Sequence, residues 1–128
     1  MSAPVPGGQH WLVEFHDASG LADAGRVRSG LERAVAAAGA TLIRLELHQF
    51  GGGQGVAGMA LLAESHISIH TWPEYAYAAI DIFMCGAVAS PGRALESLQA
   101  TFCPASVEVR RFTRGFGSGG DAPGSPTS

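Results

Sequence analysis

Between residues 64 and 85 the chain reads Glu64-Ser65-His66-Ile67-Ser68-Ile69-His70-Thr71-Trp72-Pro73-Glu74, then crosses an apolar stretch to Cys85. Hydroxyl, imidazole, carboxylate and thiol are the groups that move protons and attack carbonyls. Here they crowd into a short segment of a chain otherwise rich in Ala, Gly and Leu. Three chemistries compete for them. The spacing of His66 and His70 suits zinc on a helix, but Ile67 and Ile69 alternate as in a strand, where two such residues stand about 13 Å apart and cannot share an ion; no metal is expected. A hydrolase serine normally sits on a Gly-x-Ser-x-Gly elbow, which Glu64 and His66 do not provide. The run 50–55, Phe50-Gly51-Gly52-Gly53-Gln54-Gly55, is Gly-rich, but it feeds a strand and has no Gly-Lys-Ser/Thr, so it reads as a connection or lid and not as a phosphate loop.

The elements that must position these groups are short and alternate in type. Residues 10–16 read as a strand with Trp11, Val13 and Phe15 on one face and His10, Leu12, Glu14 and His16 on the other. His10 and Glu14 therefore border any site on that face. A turn at 17–20 leads to a helix over 21–38, on which Val27, Leu31 and Val35 recur every four residues and which Gly39 closes. Strands are expected at 41–49, 56–63, 66–71, 77–85 and 105–112, with a second helix at 91–102 that has Pro91 at its start and Leu95, Leu98 and Phe102 on one stripe. Cys103, next to Phe102, is expected to be inert core. The pattern predicts an α+β two-layer sandwich, an antiparallel sheet with two helices on one face. Domain limits follow: a flexible N-terminus at 1–8, one folded domain at 9–114 and a disordered Gly/Ser/Pro tail at 115–128.

Composition narrows the partners. The chain has 128 residues, 46% hydrophobic and 15% charged, with a net charge of −3, which suits one globular domain and gives no basic footprint for nucleic acid. No run of about 18 apolar residues is present, so no membrane span is expected. Two cysteines make no disulfide framework. A cytoplasmic protein that binds a small molecule is the expectation.

The string from Glu64-Ser65-His66 through His70-Thr71-Trp72-Pro73-Glu74 to Asp81 and Cys85-Gly86 resembles the core of the short prokaryotic S-adenosylmethionine decarboxylases. The likeness extends more weakly over residues 10–114. It implies a zymogen, a lyase in waiting, that cuts itself between Glu64 and Ser65: the Ser65 hydroxyl attacks the Glu64 carbonyl, the resulting ester eliminates, and Ser65 becomes a pyruvoyl group, the self-derived cofactor. Such a ketone forms a Schiff base with a substrate amine and serves as an electron sink. By the same resemblance His70 is the processing base, Cys85 the proton donor to the substrate carbon, Glu74 the carboxylate that holds the ribose hydroxyls, and Phe50 the aromatic that stacks on adenine. A thiol keeps most of its protons at neutral pH, as the donor role requires. In one unbroken strand Ser65 and His70 point to opposite faces, so their cooperation within a chain needs a turn at Glu64-Ser65, where a strained peptide would help the acyl shift.

The family's product feeds spermidine synthesis, and its members imply a homodimer of cleaved protomers packed sheet against sheet. Two departures stand out. The loop 50–58 lacks the usual proline and is one residue longer, and Ala57 replaces a hydroxyl residue expected to assist processing. The first leaves ornithine or arginine decarboxylation as an alternative; the second leaves an unprocessed, non-catalytic binding or regulatory homologue as another.

Overall fold

The computed structural model describes residues 7–86 and 88–115. The elements run β1 (Gly7–His16), α1 (Ala24–Ala38), β2 (Leu42–Gln49), β3 (Val56–Leu62), β4 (Ser65–Trp72), a short 3-10 turn (Pro73–Tyr75), β5 (Tyr77–Cys85), α2 (Pro91–Phe102) and β6 (Ser106–Gly115). The strands form one six-stranded sheet in the order β2-β3-β4-β5-β1-β6, antiparallel throughout. Both helices lie on the same side of it. The expected two-layer α+β sandwich is therefore the observed one. Most of the flexible end expected at 1–8 and of the tail expected at 115–128 lies outside the described residues.

Alternation along the strands separates the two faces. Val13, Phe15, Ile67, Ile69, Ile80, Ile82 and Met84 are buried toward the helices, where they meet Val27, Leu31, Val35, Leu98 and Phe102. Antiparallel sheets commonly keep the other face in solvent. Here that face carries all five histidines, His10, His16, His48, His66 and His70, together with exposed Met59, Leu61 and Phe112.

Some boundaries differ from the sequence expectation for tertiary reasons. Helix α1 starts at Ala24, not 21, with Asp23 as its N-cap. Leu21 is instead drawn into the core, and its carbonyl accepts a bond from the buried Thr71 hydroxyl at 2.8 Å. Strands β1 and β6 are longer than expected because they pair with each other from Gly7↔Gly115 to His16↔Ser106. Cys103 is not core: it is exposed, at φ 47°, as the left-handed residue that ends α2. Among the described residues no helix is long and apolar enough to cross a membrane.

Candidate active site

Glu64 and Ser65, the expected cleavage point, lie at a tight hairpin. Leu62 of β3 pairs with Ser65 of β4, leaving only Ala63 and Glu64 to turn the chain. Two-residue hairpins favour turns with positive φ at one or both central residues, usually Gly or Asn. Neither Ala63 nor Glu64 has positive φ; Ser65, the next residue, does, at 147°. The turn thus passes its misfit to Ser65, a conformation that costs on the order of 1–3 kcal/mol in a non-glycine residue.

Hydrogen bonds fix this hairpin. The Glu64 carbonyl oxygen accepts a hydrogen bond from the Cys85 backbone N–H at 2.9 Å. The Glu64 carboxylate accepts from the Thr41 backbone N–H at 2.9 Å and from its hydroxyl at 3.4 Å. Those bonds, the backbone one first, hold the Glu64 carboxyl below the usual carboxylate range. Finally, Ser65 Oγ lies 3.1 Å from His66 Nδ1. Cys85 follows Met84, the residue directly opposite Ser65, so its thiol is carried to the same end of the sheet. Ser65, Glu64 and Cys85 are therefore brought together. His66 joins them, although the sequence reading gave it no role: strand alternation sets neighbours on opposite faces, and only the positive φ at Ser65 brings the two side chains into contact.

The other expected residues gather elsewhere. His70 sits five residues along β4, about 16 Å from Ser65 at strand rise, and the turn at Glu64 does not close that gap. Its ring is sandwiched between Trp72, centroids 4.0 Å apart, and Phe50, 5.5 Å away. His48 meets Phe50 edge-on at 4.7 Å, and Trp72 continues the stack to Tyr77 at 5.3 Å. Phe50, Gln54, Gly55, His70, Trp72 and Glu74 line a cleft of about 190 Å³. Glu74 lies exposed in the Pro73–Tyr75 turn. Ala57 is directly opposite His70 on β3 and lines, with Glu46, Ser68 and Asp81, a shallow groove of about 630 Å³ across the bare face.

Several other polar groups of this face pair with one another. Tyr77 donates its hydroxyl to Glu14, which also pairs with Arg110 at 3.2 Å. That bond, with burial and the negative charges of Glu14 and Glu108, pushes the Tyr77 phenol up to about 12. His10 Nε2 lies 3.4 Å from Asp81 Oδ1 without hydrogen-bond alignment. Among the described residues no group of three or more His, Cys, Asp or Glu side chains is arranged to hold a metal ion.

Comparison with known proteins identifies this arrangement. A family model described as S-adenosylmethionine decarboxylase matches residues 9–115. The chain is 41% identical over 109 residues to the S-adenosylmethionine decarboxylase proenzyme of Thermomicrobium roseum, covering 85% of this chain and 94% of that one. It is 45% identical over 109 residues to the proenzyme of the same name from Synechococcus sp., covering 84% of each. A crystal structure of adenosylmethionine decarboxylase from Aquifex aeolicus superposes with a TM-score of 0.80 at 30% identity, over 98% of this chain and all of that one. Fold and matches together define an enzyme, a carboxy-lyase built on a two-layer sandwich. Within that class, the chain belongs to the S-adenosylmethionine decarboxylase family.

Proposed function

We propose that this chain is a proenzyme that cleaves itself between Glu64 and Ser65 and then decarboxylates S-adenosylmethionine with a pyruvoyl group made from Ser65. The observation that carries the reading is the Glu64–Ser65 junction: a scissile carbonyl already bonded to the Cys85 N–H, followed by a serine at φ 147°. A donor placed on a carbonyl oxygen stabilises the negative charge that grows there when a hydroxyl attacks. Relief of a strained φ favours the same step. The relatives, all named for S-adenosylmethionine, favour that substrate over ornithine or arginine, and their proenzyme names favour processing over a non-catalytic role.

The residues present fit a pyruvoyl group at position 65, whose carbons would come from Ser65 and whose keto oxygen would come from water as the Ser65 nitrogen leaves as ammonia. There it would supply the electron sink for the carbon that loses carbon dioxide. Cys85 Sγ holds the proton for that carbon. Phe50 offers a flat face to an adenine, and Glu74 offers a carboxylate to ribose hydroxyls.

The separation of about 16 Å between Ser65 and His70 supports a site shared between two chains. We take the active protein to be a homodimer of cleaved protomers in which two bare sheet faces stack, about 10 Å apart. A two-fold axis between antiparallel β4 strands sets the start of one strand over the end of the other. Ser65 and Cys85 then belong to one copy, and His70, Glu74 and Phe50 to the second. The exposed Met59, Leu61 and Phe112 on this face support a cover of that kind. The folded unit reaches from Gly7 to Gly115, slightly past the expected 9–114, and we take the enzyme to be cytoplasmic, its product serving spermidine synthesis.

Intact-mass analysis tests the processing: the expected result is two chains, 1–64 and 65–128, the second beginning with a ketone. A single 128-residue chain stable for days would end the reading. Release of carbon dioxide from S-adenosylmethionine, and not from ornithine or arginine, is the expected substrate result; the reverse pattern overturns the assignment.

A further inference from the structure

We infer that His66 is the base that takes the proton from Ser65 Oγ in the acyl shift, so that two histidines divide the self-cleavage between them. The inference rests on the self-cleavage reading and assigns a group to its first step. Ser65 Oγ is 3.1 Å from His66 Nδ1, within the distance at which a general base acts. Among the described residues, His66 is the hydrogen-bond partner of that hydroxyl. His70, the base implied by resemblance, is five residues away on the same strand and cannot reach the hydroxyl in one copy.

The local structure holds the pair. Positive φ at Ser65 turns its side chain toward the bare face, where His66 already points by strand alternation. Across the ladder His66 lies between Leu61 of β3 and Phe83 of β5. Its ring meets Phe83 edge-on at 5.9 Å. Charged and titratable groups border that wall: His10, 5.4 Å from Phe83, Arg114, whose guanidinium lies 5.4 Å over the same ring, Arg44, which is opposite Leu61 on β2, and Cys85, two residues beyond Phe83 on β5. His10 is turned toward Asp81. His66 thus faces an apolar wall with the serine at its Nδ1, and the neutral tautomer with its proton on Nε2 leaves Nδ1 free to accept.

The step balances without any added reagent. The Ser65 Oγ–H proton passes to His66 Nδ1 as Oγ bonds to the Glu64 carbonyl carbon. The carbonyl oxygen takes the electron pair, facing the Cys85 N–H. When the oxygen re-forms its double bond, the Glu64 C–N bond breaks, and the Ser65 nitrogen leaves with the proton that His66 returns. An ester and a free α-amine result. The later elimination, which removes the Ser65 α-proton, stays with His70.

The test follows freshly translated chains by intact mass, with and without hydroxylamine, which cleaves an ester at 64/65 but spares an amide. His66→Ala is expected to slow cleavage by about 100-fold or more and to accumulate a hydroxylamine-resistant 128-residue chain. Added imidazole is expected to restore cleavage. His70→Ala is expected to accumulate a chain of the same mass that hydroxylamine cuts. His66→Asn, which keeps a hydrogen-bond acceptor but not a base, is expected to be slow like His66→Ala. Wild-type rates in His66→Asn, absence of imidazole rescue in a folded His66→Ala, or an ester accumulating in either variant would each overturn the inference while leaving self-cleavage standing. A wild-type chain that never cuts would remove the proposed function itself.

Discussion

The two ends of β4 are built by different physics. At its start, Ser65 is held by a misfit hairpin and by hydrogen bonds that converge on Glu64, from Cys85 and Thr41. At its end, His70 is held by ring faces, Phe50 on one side and Trp72 on the other. The first end has a bond to break and little room to move. The second offers a flat-walled cleft of about 190 Å³ next to a loop in which a side chain at Gly51, Gly52 or Gly53 would meet nothing within 4 Å. On the proposed reading, one strand carries the covalent chemistry and the substrate contacts at separate places, and that separation argues for a second copy.

Breaking the separation gives the largest expected effect. Ser65→Ala alone and His70→Ala alone should each yield uncleaved or unfinished chains. Co-expressed, they should give a population in which the His70→Ala chain is fully cut, because its Ser65 meets an intact His70 of the other copy. No cutting in the mixture, read by mass, would put both groups back in one protomer.

Next is Cys85→Ala. It keeps the backbone N–H that faces Glu64, so cleavage should proceed, while carbon dioxide release falls by about 100-fold or more through loss of the proton donor. Equal loss of both activities would mean that the thiol, not the N–H, serves the cleavage end.

A smaller effect is expected from Thr71→Val, which targets the support of the far end. The Thr71 hydroxyl is buried, accepts from the Val56 N–H at 2.8 Å and donates to the Leu21 carbonyl. Replacing it leaves both groups unmet and should cost about 1–3 kcal/mol in chemical denaturation, with cleavage chemistry at Ser65 unchanged.

The smallest expected effect is on pH dependence. Tyr77 is pushed up to about 12 by its bond to Glu14, then by burial and nearby negative charge. The proton is held more tightly in the folded chain, so this contribution is complete below about pH 10, the unfolded value, and fades as pH rises toward 12. Tyr77→Phe should flatten the alkaline fall in melting temperature; an unchanged fall would assign it to other groups.

Much of the frame could be read from the residues. The alternation of Trp11, Val13 and Phe15 against His10, Leu12, Glu14 and His16 placed the two faces of β1 correctly, and the Leu95, Leu98 and Phe102 stripe placed α2. Contacts across strands were not legible. The Cys85 N–H on the Glu64 carbonyl and the Thr41 clamp on the Glu64 carboxylate depend on the register of β4 with β5 and on the packing of the chain before β2, neither of which a local pattern encodes. The Ser65–His66 contact was hidden for a sharper reason: alternation predicts its absence, and only a backbone angle rare for serine produces it. Cys103 misled because its neighbour Phe102 is fully buried, whereas one further step round a left-handed helix end turns the thiol to solvent.

The loop after Phe50 has its freedom confined to one side. A side chain at Gly55 would begin 2.0 Å from the Thr71 carbonyl oxygen, whereas one at Gly51 or Gly52 would meet nothing within 4 Å. Gly55 is in effect a rivet and the residues before it a replaceable panel. Bulk can be added at 51–52 without a clash, so the surface beside the Phe50–Glu74 cleft can be refitted through evolution or design while the hairpin at Ser65 stays as it is.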